Sequence, residues 1–156
     1  MTWNPSTPIT GAAQTGLTSP TYTLTADTAP SINGKQHAVT ALGGTQTGVD
    51  VHSVSKPFTL TFFRPANVKV SLVPNPTTGL IAGPIPKNTY RLLTRKGAVP
   101  YANQPPAIMT IETIIKVPAG ADTYEPEEIR AALSAHIGAL SQQSAGLGDT
   151  TVSSVM

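Results

Sequence analysis

The stretch TYEPEEIRAALSAHIGALSQQ, residues 123–143, decides how the rest of the chain is read. Ile129, Leu133, Ile137 and Leu140 fall at helical spacing, with Ala132 and His136 flanking the stripe. Asp122 and Thr123 suit an N-cap, and Pro126 is tolerated in a first turn. Burying all four stripe residues would contribute about 6–12 kcal/mol, at roughly 1.5–3 per side chain, so the stripe needs an apolar surface to cover it. Two surfaces qualify: the sheet of the same chain, or that of a partner subunit. After Gln143, SAGLGDTTVSSVM reads as a second short helix with Asp149 capping its start.

Upstream, the text is that of strands and turns. Residues 1–20, with Pro5, Pro8 and Pro20, read as an arm with at most one short strand. TYTLTA (21–26) alternates cleanly, Asn33-Gly34 is a tight-turn pair, and KQHAVTAL (35–42) follows as its hairpin partner. GGTQTG reads as a loop. VDVHSVSKPFTLTFFR (49–64) suggests two short strands bent at Lys56-Pro57, since proline cannot donate to a ladder. Residues 65–87 carry five prolines and read as an excursion around a short VKVSLV strand. NTYRLLTRK (88–96) and AIMTIETIIKV (107–117) are the clearest strands, joined by the loop GAVPYANQPP. The expectation is one domain, 1–156: an arm (1–20), a meandering antiparallel sheet of six or seven strands (21–117) and two terminal helices (122–156), an α+β fold.

Composition agrees. The chain has 156 residues, 12% charged and 39% apolar, with 15 prolines, 13 glycines and no cysteine. Disulfides, thiolate metal sites and cysteine nucleophiles are therefore excluded. The N-terminus has no basic region leading into an apolar one, and no apolar run is long enough to cross a bilayer, so a soluble cytoplasmic product is expected. Residues 1–117 hold nine of the ten Lys and Arg for a net +6, whereas the remainder carries −4. That asymmetry points to a basic β surface for a polyanion, although Glu125, Glu127 and Glu128 also suit a helix start on dipole grounds alone.

Alternation sorts the strand residues. Thr89, Arg91, Leu93 and Arg95 share one face of 88–96. In 107–117, Met109, Ile111, Thr113, Ile115 and Val117 form a core face, and Thr110, Glu112, Ile114 and Lys116 the other. Thr59 and Thr61 are the polar sites of 58–64. An unpaired, regular MTIETIIKV edge would invite association, which joining to its own copy would satisfy. No catalytic constellation is present: His37, His52 and His136 lie apart without a carboxylate at ligand spacing, and GTQTG and GLIAGPIP lack the Lys-Ser/Thr of a phosphate loop. No metal, cofactor, membrane partner or small-molecule substrate is expected, and no enzyme activity.

The order of features, namely cysteine-free alternating strands, a Pro-rich loop before the last strand, TIETIIKVP, an acidic helix start and the tail IRAALSAHIGALSQQSAGLGDTTVSSVM, resembles the coat proteins of the small single-stranded RNA bacteriophages, the leviviruses. The resemblance runs from about Tyr22 to Met156, with the arm and the 65–87 excursion longer than in the best-known members. It implies an obligate homodimer with one continuous sheet, formed where last strands pair, and helices that clasp the partner's sheet. Ile129, Leu133, Ile137, Leu140, Ile111 and Ile115 would then form the dimer interface. It further implies assembly into an icosahedral shell, with the loop at about Gly97–Ala107 around the symmetry axes. The virion interior would hold single-stranded genomic RNA, including a hairpin serving as packaging signal and translational operator. Arg91, Arg95 and Lys116 would neutralise phosphates, while Thr89, Thr110, Thr59, Thr61 and Glu112 hydrogen-bond sugar or base edges. Two plainer readings stand beside this: the polar strand residues simply face water, with Glu112 pairing Arg91 or Arg95, and the chain is a non-enzymatic phage tail, fibre or adhesion module.

Overall fold

The structure is a computed structural model and describes residues 2–156. Six strands form one antiparallel sheet in chain order: β1 (Ile9–Thr10), β2 (Thr18–Asp27), β3 (Gly34–Thr45), β4 (Phe58–Phe63), β5 (Lys87–Ala98) and β6 (Ala107–Pro118). Three helices follow, α1 (Ala121–Tyr124), α2 (Pro126–Gln142) and α3 (Ser144–Ser153). The expected two become three because the residue before a proline avoids helical geometry. Glu125 leaves helical geometry (φ −139°, ψ 56°) and serves as N-cap, and Pro126 opens α2 at its first position. Asp122 and Thr123 therefore lie within α1 rather than capping the long helix, and Asp122 Oδ1 accepts the Gly120 N–H at 3.1 Å. Asp149 likewise sits inside α3 and does not cap it.

Two expected strands are absent. Residues 49–57 are held by isolated bonds instead of a ladder: His52 N–H donates to the Val39 carbonyl (2.8 Å), and the His52 side chain accepts the Phe58 N–H at Nδ1 (3.0 Å). Lys56-Pro57 then crosses β5 at Gly97, whose N–H donates to the Pro57 carbonyl at 2.7 Å. A Cβ at Gly97 would stand 2.7 Å from Lys56 Cα, so only glycine permits the approach. VKVSLV is also irregular. Its backbone finds its partner in a side chain: Lys69 N–H donates to Asn88 Oδ1 (2.8 Å), and Asn88 Nδ2 donates to the Lys69 carbonyl (2.9 Å). Asn88, 4% exposed, thus does for one residue what a neighbouring strand would do. Conversely, β3 runs on through GGT, which had read as loop.

The chain does not close on itself. Among the described residues the buried apolar core is Leu24, Ala38, Val39 and Ala119. The accessible surface is 10922 Å² for 16.2 kDa, against roughly 7,400 Å² for a compact monomer of this mass. α2 contributes to it, having no buried residue. Ile129 and Leu133 are half-buried, facing Phe62, Tyr90, Ile115 and Val117 across a cavity of about 260 Å³, while Ile137 and Leu140 are 61% and 42% exposed. The helix stripe is therefore only half covered by its own sheet. α3 keeps a foothold on its own chain, because Gln14 Nε2 donates to the Ser144 carbonyl (2.8 Å) and hydroxyl (2.7 Å), and Thr15 Oγ1 to Asp149 Oδ2 (3.0 Å).

Asn88→Ala strands the Lys69 amide and carbonyl, and the expected cost is about 1–3 kcal/mol. Urea unfolding measures the loss, and limited proteolysis should show accelerated cutting within 65–87.

Candidate nucleic-acid interface

Strand register brings the eight sequence-selected residues onto one face. Arg95 lies opposite Thr59 and Thr110, Leu93 opposite Thr61 and Glu112, and Thr89 opposite Lys116. Arg91 joins them, opposite Phe63 and Ile114. The same face continues through Gln36 and Ala38 on β3 to Asp27 and Thr25 on β2. The opposite face is the apolar one. There Trp3 stacks on Phe62 (5.2 Å between centroids) and Phe62 on Tyr90 (6.4 Å), under α2.

The eight are not equivalent. Thr59 and Thr61 are 0% and 1% exposed, which removes them from the surface the sequence had suggested. In the middle of a sheet, a short side chain flanked by Arg and Gln sinks beneath them. Arg95 Nε donates to Thr59 Oγ1 (3.2 Å), Thr61 Oγ1 to Gln36 Oε1 (2.8 Å), and Gln36 Nε2 to Asp27 Oδ2 (2.6 Å). The two threonines are thus a floor that fixes the groups above them. Buried hydroxyls and amides need such partners, and here they supply one another.

Arg91 lies 4.7 Å over the Phe63 ring and its Nη1 is 3.7 Å from Glu112 Oε1. The ring restrains the guanidinium by cation–π attraction. The carboxylate contact adds at most about 1 kcal/mol at a surface. Thr89, Thr110 and Lys116 are exposed on the same face, as is Lys87, two residues before Thr89. Lys87, Arg91, Arg95 and Lys116 stand against Asp27 and Glu112, leaving the face an open surface with a cationic excess. Sequence reading missed Gln36, Asp27, Phe63 and Lys87. The Asn33-Gly34 turn carried the signal for Gln36, since it joins β2 to β3 and sets Gln36 opposite Asp27.

The proposed interface residues lie elsewhere. Ile115 is half-buried beneath α2, and Ile111, on the same side, is 58% exposed. β6 ends the sheet, with no strand on its outer side. Ile108, Met109 and Ile114 are 57%, 43% and 53% exposed along it.

Neither family models nor curated proteins give a match to this chain. A solved structure does: the virus-like particle of bacteriophage ESE020 is 61% identical, with a TM-score of 0.95, over 99% of this chain and 100% of that one. The chain belongs to that family of bacteriophage capsid proteins. The six-stranded sheet followed by helices is the fold of this capsid protein, and the observed topology agrees with the α+β expectation.

One carboxylate of the capsid protein reports on the polar face. Hydrogen bonds from Gln36 and then from the Thr28 N–H hold Asp27 below the ordinary carboxylate range. A depressed folded-state value stabilises the fold above the unfolded value of about 4 and is lost as pH falls through the folded value. Asp27→Asn should therefore flatten part of the acid limb: urea midpoints at fixed protein concentration fall less between pH 5 and 2 than in the parent.

Proposed function

We propose that this chain is a structural coat protein that dimerises, assembles into a closed icosahedral shell and encloses single-stranded RNA against its polar sheet face. The observation that carries this reading is the uncovered β6 edge, on a chain 61% identical to a protein of a virus-like particle. Twelve residues of β6 leave their outward amides and carbonyls without a strand, and Ile108, Met109, Ile111 and Ile114 are uncovered beside them. Such an edge is a template for another chain. A two-fold copy pairing there satisfies the backbone groups and doubles the polar face into one continuous surface. The surface excess supports it too. About 3,500 Å² beyond a compact monomer is ample for the interfaces of an obligate assembly.

On the polar face, Arg91, Arg95, Lys116 and Lys87 neutralise phosphates, and Thr89, Thr110 and Glu112 offer polar contacts to unpaired nucleotides. Thr59 and Thr61 act from below, by orienting Arg95 and Gln36. A tail, fibre or adhesion module would suit the composition, but the capsid relationship weighs against it.

Two measurements test this. Recombinant protein should elute as large particles, visible by negative stain and carrying RNA absorbance; a small stable monomer or trimer would overturn the coat reading. In RNA titrations across salt concentrations, Arg91→Ala and Arg95→Ala should each reduce the log–log salt slope by about 0.7–0.9, while Arg130→Ala on α2 leaves it alone. Unchanged slopes in both would take these residues off the RNA surface.

A further inference from the structure

We propose that the knuckle at the start of α2, Tyr124 with Glu125, Glu127 and Glu128, docks in a cationic groove on a neighbouring dimer, formed by Trp3, Ile32, Lys35, Phe62 and Arg64. The contact rests on the coat reading above and adds, to the two-fold pairing of β6, the second contact that a shell built of dimers needs.

Once the charges with a place elsewhere are set aside, two groups are left over. Nine of the ten Lys and Arg precede residue 118. Lys87, Arg91, Arg95 and Lys116 belong to the polar face, while Lys56 and Lys96 turn to Asp50, one to its carboxylate (2.6 Å) and the other to its carbonyl. Lys69 stands on the excursion, its main chain held by Asn88. Lys35 and Arg64 remain, exposed on the side opposite the polar face. Of the carboxylates, Asp27, Asp50, Glu112 and Asp149 engage Gln36, Lys56, Arg91 and Thr15, and Asp122 accepts the Gly120 N–H. Glu125, Glu127 and Glu128 are exposed, and among the described residues their one ion pair is Arg130, 4.0 Å from Glu127. The helix dipole favours acids at that position, but it gives no reason for Tyr124, 81% exposed beside them.

The groove is fixed by the sheet. Lys35 lies opposite Phe62, Trp3 stacks on Phe62 (5.2 Å), and the Arg64 N–H donates to the Asn33 carbonyl (3.0 Å). Together these residues bound a cavity of about 360 Å³, with Ile32 97% exposed at its rim. Apolar walls flanked by two cations suit an aromatic ring followed by carboxylates, through cation–π attraction to the ring and charge-assisted bonds to the acids. Such complementarity sets which surfaces meet.

A neighbouring dimer is the source that fits. Within the subunit, the cavity bounded by Phe62, Tyr90 and Ile129 lies between knuckle and groove, Tyr124 and Glu125 line the excursion side with Leu72 and Ile85, and among the described residues no ion pair joins the two groups. Across the two-fold, the partner's β6 runs the other way, so its knuckle leaves the sheet toward this subunit's Ala107 end, whatever the register. The groove is level with Leu92 and Thr113 instead, and three strand spacings across, about 14 Å. A hollow lined by Ile9, Tyr22, Phe58 and Leu60 lies at the Ala107 end and is the nearer seat for the partner's helices. Contact between unlike patches on separate dimers is heterologous, and such contacts close into rings.

Charge exchange tests the contact. Lys35→Glu with Arg64→Glu, and separately Glu127→Lys with Glu128→Lys, should each give dimers on size exclusion where the parent gives particles, and all four substitutions in one chain should restore particles. Tyr124→Ala, which moves no charge, should also lose particles and keep the dimer. The dimers of both reversed pairs should keep the parent's RNA salt slope, because neither patch lies on the RNA face. Particles from either reversed pair, or none from the four-fold exchange, overturn the proposal and leave the coat reading standing. A reduced RNA slope in the Lys35→Glu, Arg64→Glu protein with particles retained assigns that corner to RNA and overturns it too. A parent that forms no particles rejects the coat reading and this contact together.

Discussion

A sheet that ends in a long, regular, apolar strand is incomplete, and the rest of this structure follows from that constraint. Along β6 every second backbone amide and carbonyl points outward with no neighbour, while the side chains of Ile108, Met109, Ile111 and Ile114 leave the same margin wet. Main-chain groups can find water at such an edge, but the apolar area cannot, and at roughly 25 cal/mol per Å² its burial is a strong drive to associate. Devices that usually blunt an edge are missing. β6 has no bulge, proline stands only at its end, and Lys116 and Glu112 are its charges. Among the described residues no strand covers this edge.

The interior reflects the same division of labour. Where a self-sufficient domain would fill its centre with large apolar side chains, the most deeply buried positions here are Val39, Thr59 and Thr61. Threonine in a central strand fits the pleat and still offers a hydroxyl. The result is a rigid polar layer under one face, chained from Asp27 through Gln36 to Thr61 and separately from Thr59 to Arg95. Apolar material is instead sent to the other face and to α2, where the cavity beneath Ile129 and Leu133 remains open in the single chain.

Much of this was legible from sequence, and what was not has definite physical causes. Alternation in β5 and β6 and the period of α2 are strong local signals, and they gave the right elements and sorted the polar face, although Met109 and Ile111, read as core, are 43% and 58% exposed. The strand expected at 68–73 failed because the Asn88 side chain took the hydrogen bonds a ladder would have used, and the one expected within 49–57 is reduced to single bonds at His52; a pattern of alternating residues reveals neither. The caps failed for a similar reason: Pro126 dictates the conformation of Glu125, and that local steric rule outranks the capping preference of Asp122. For the polar face, charge and period found Arg91, Arg95 and Lys116. Burial of Thr59 and Thr61 depends on neighbours from two other strands, which only the assembled sheet brings together.

Asn88 recognises main-chain atoms of residue 69 and nothing of its side chain. The clamp is therefore indifferent to which residue stands at that position, and to most of the sequence between it and Pro86. One asparagine thus moors the start of the excursion through the main chain alone, whatever side chain stands at position 69.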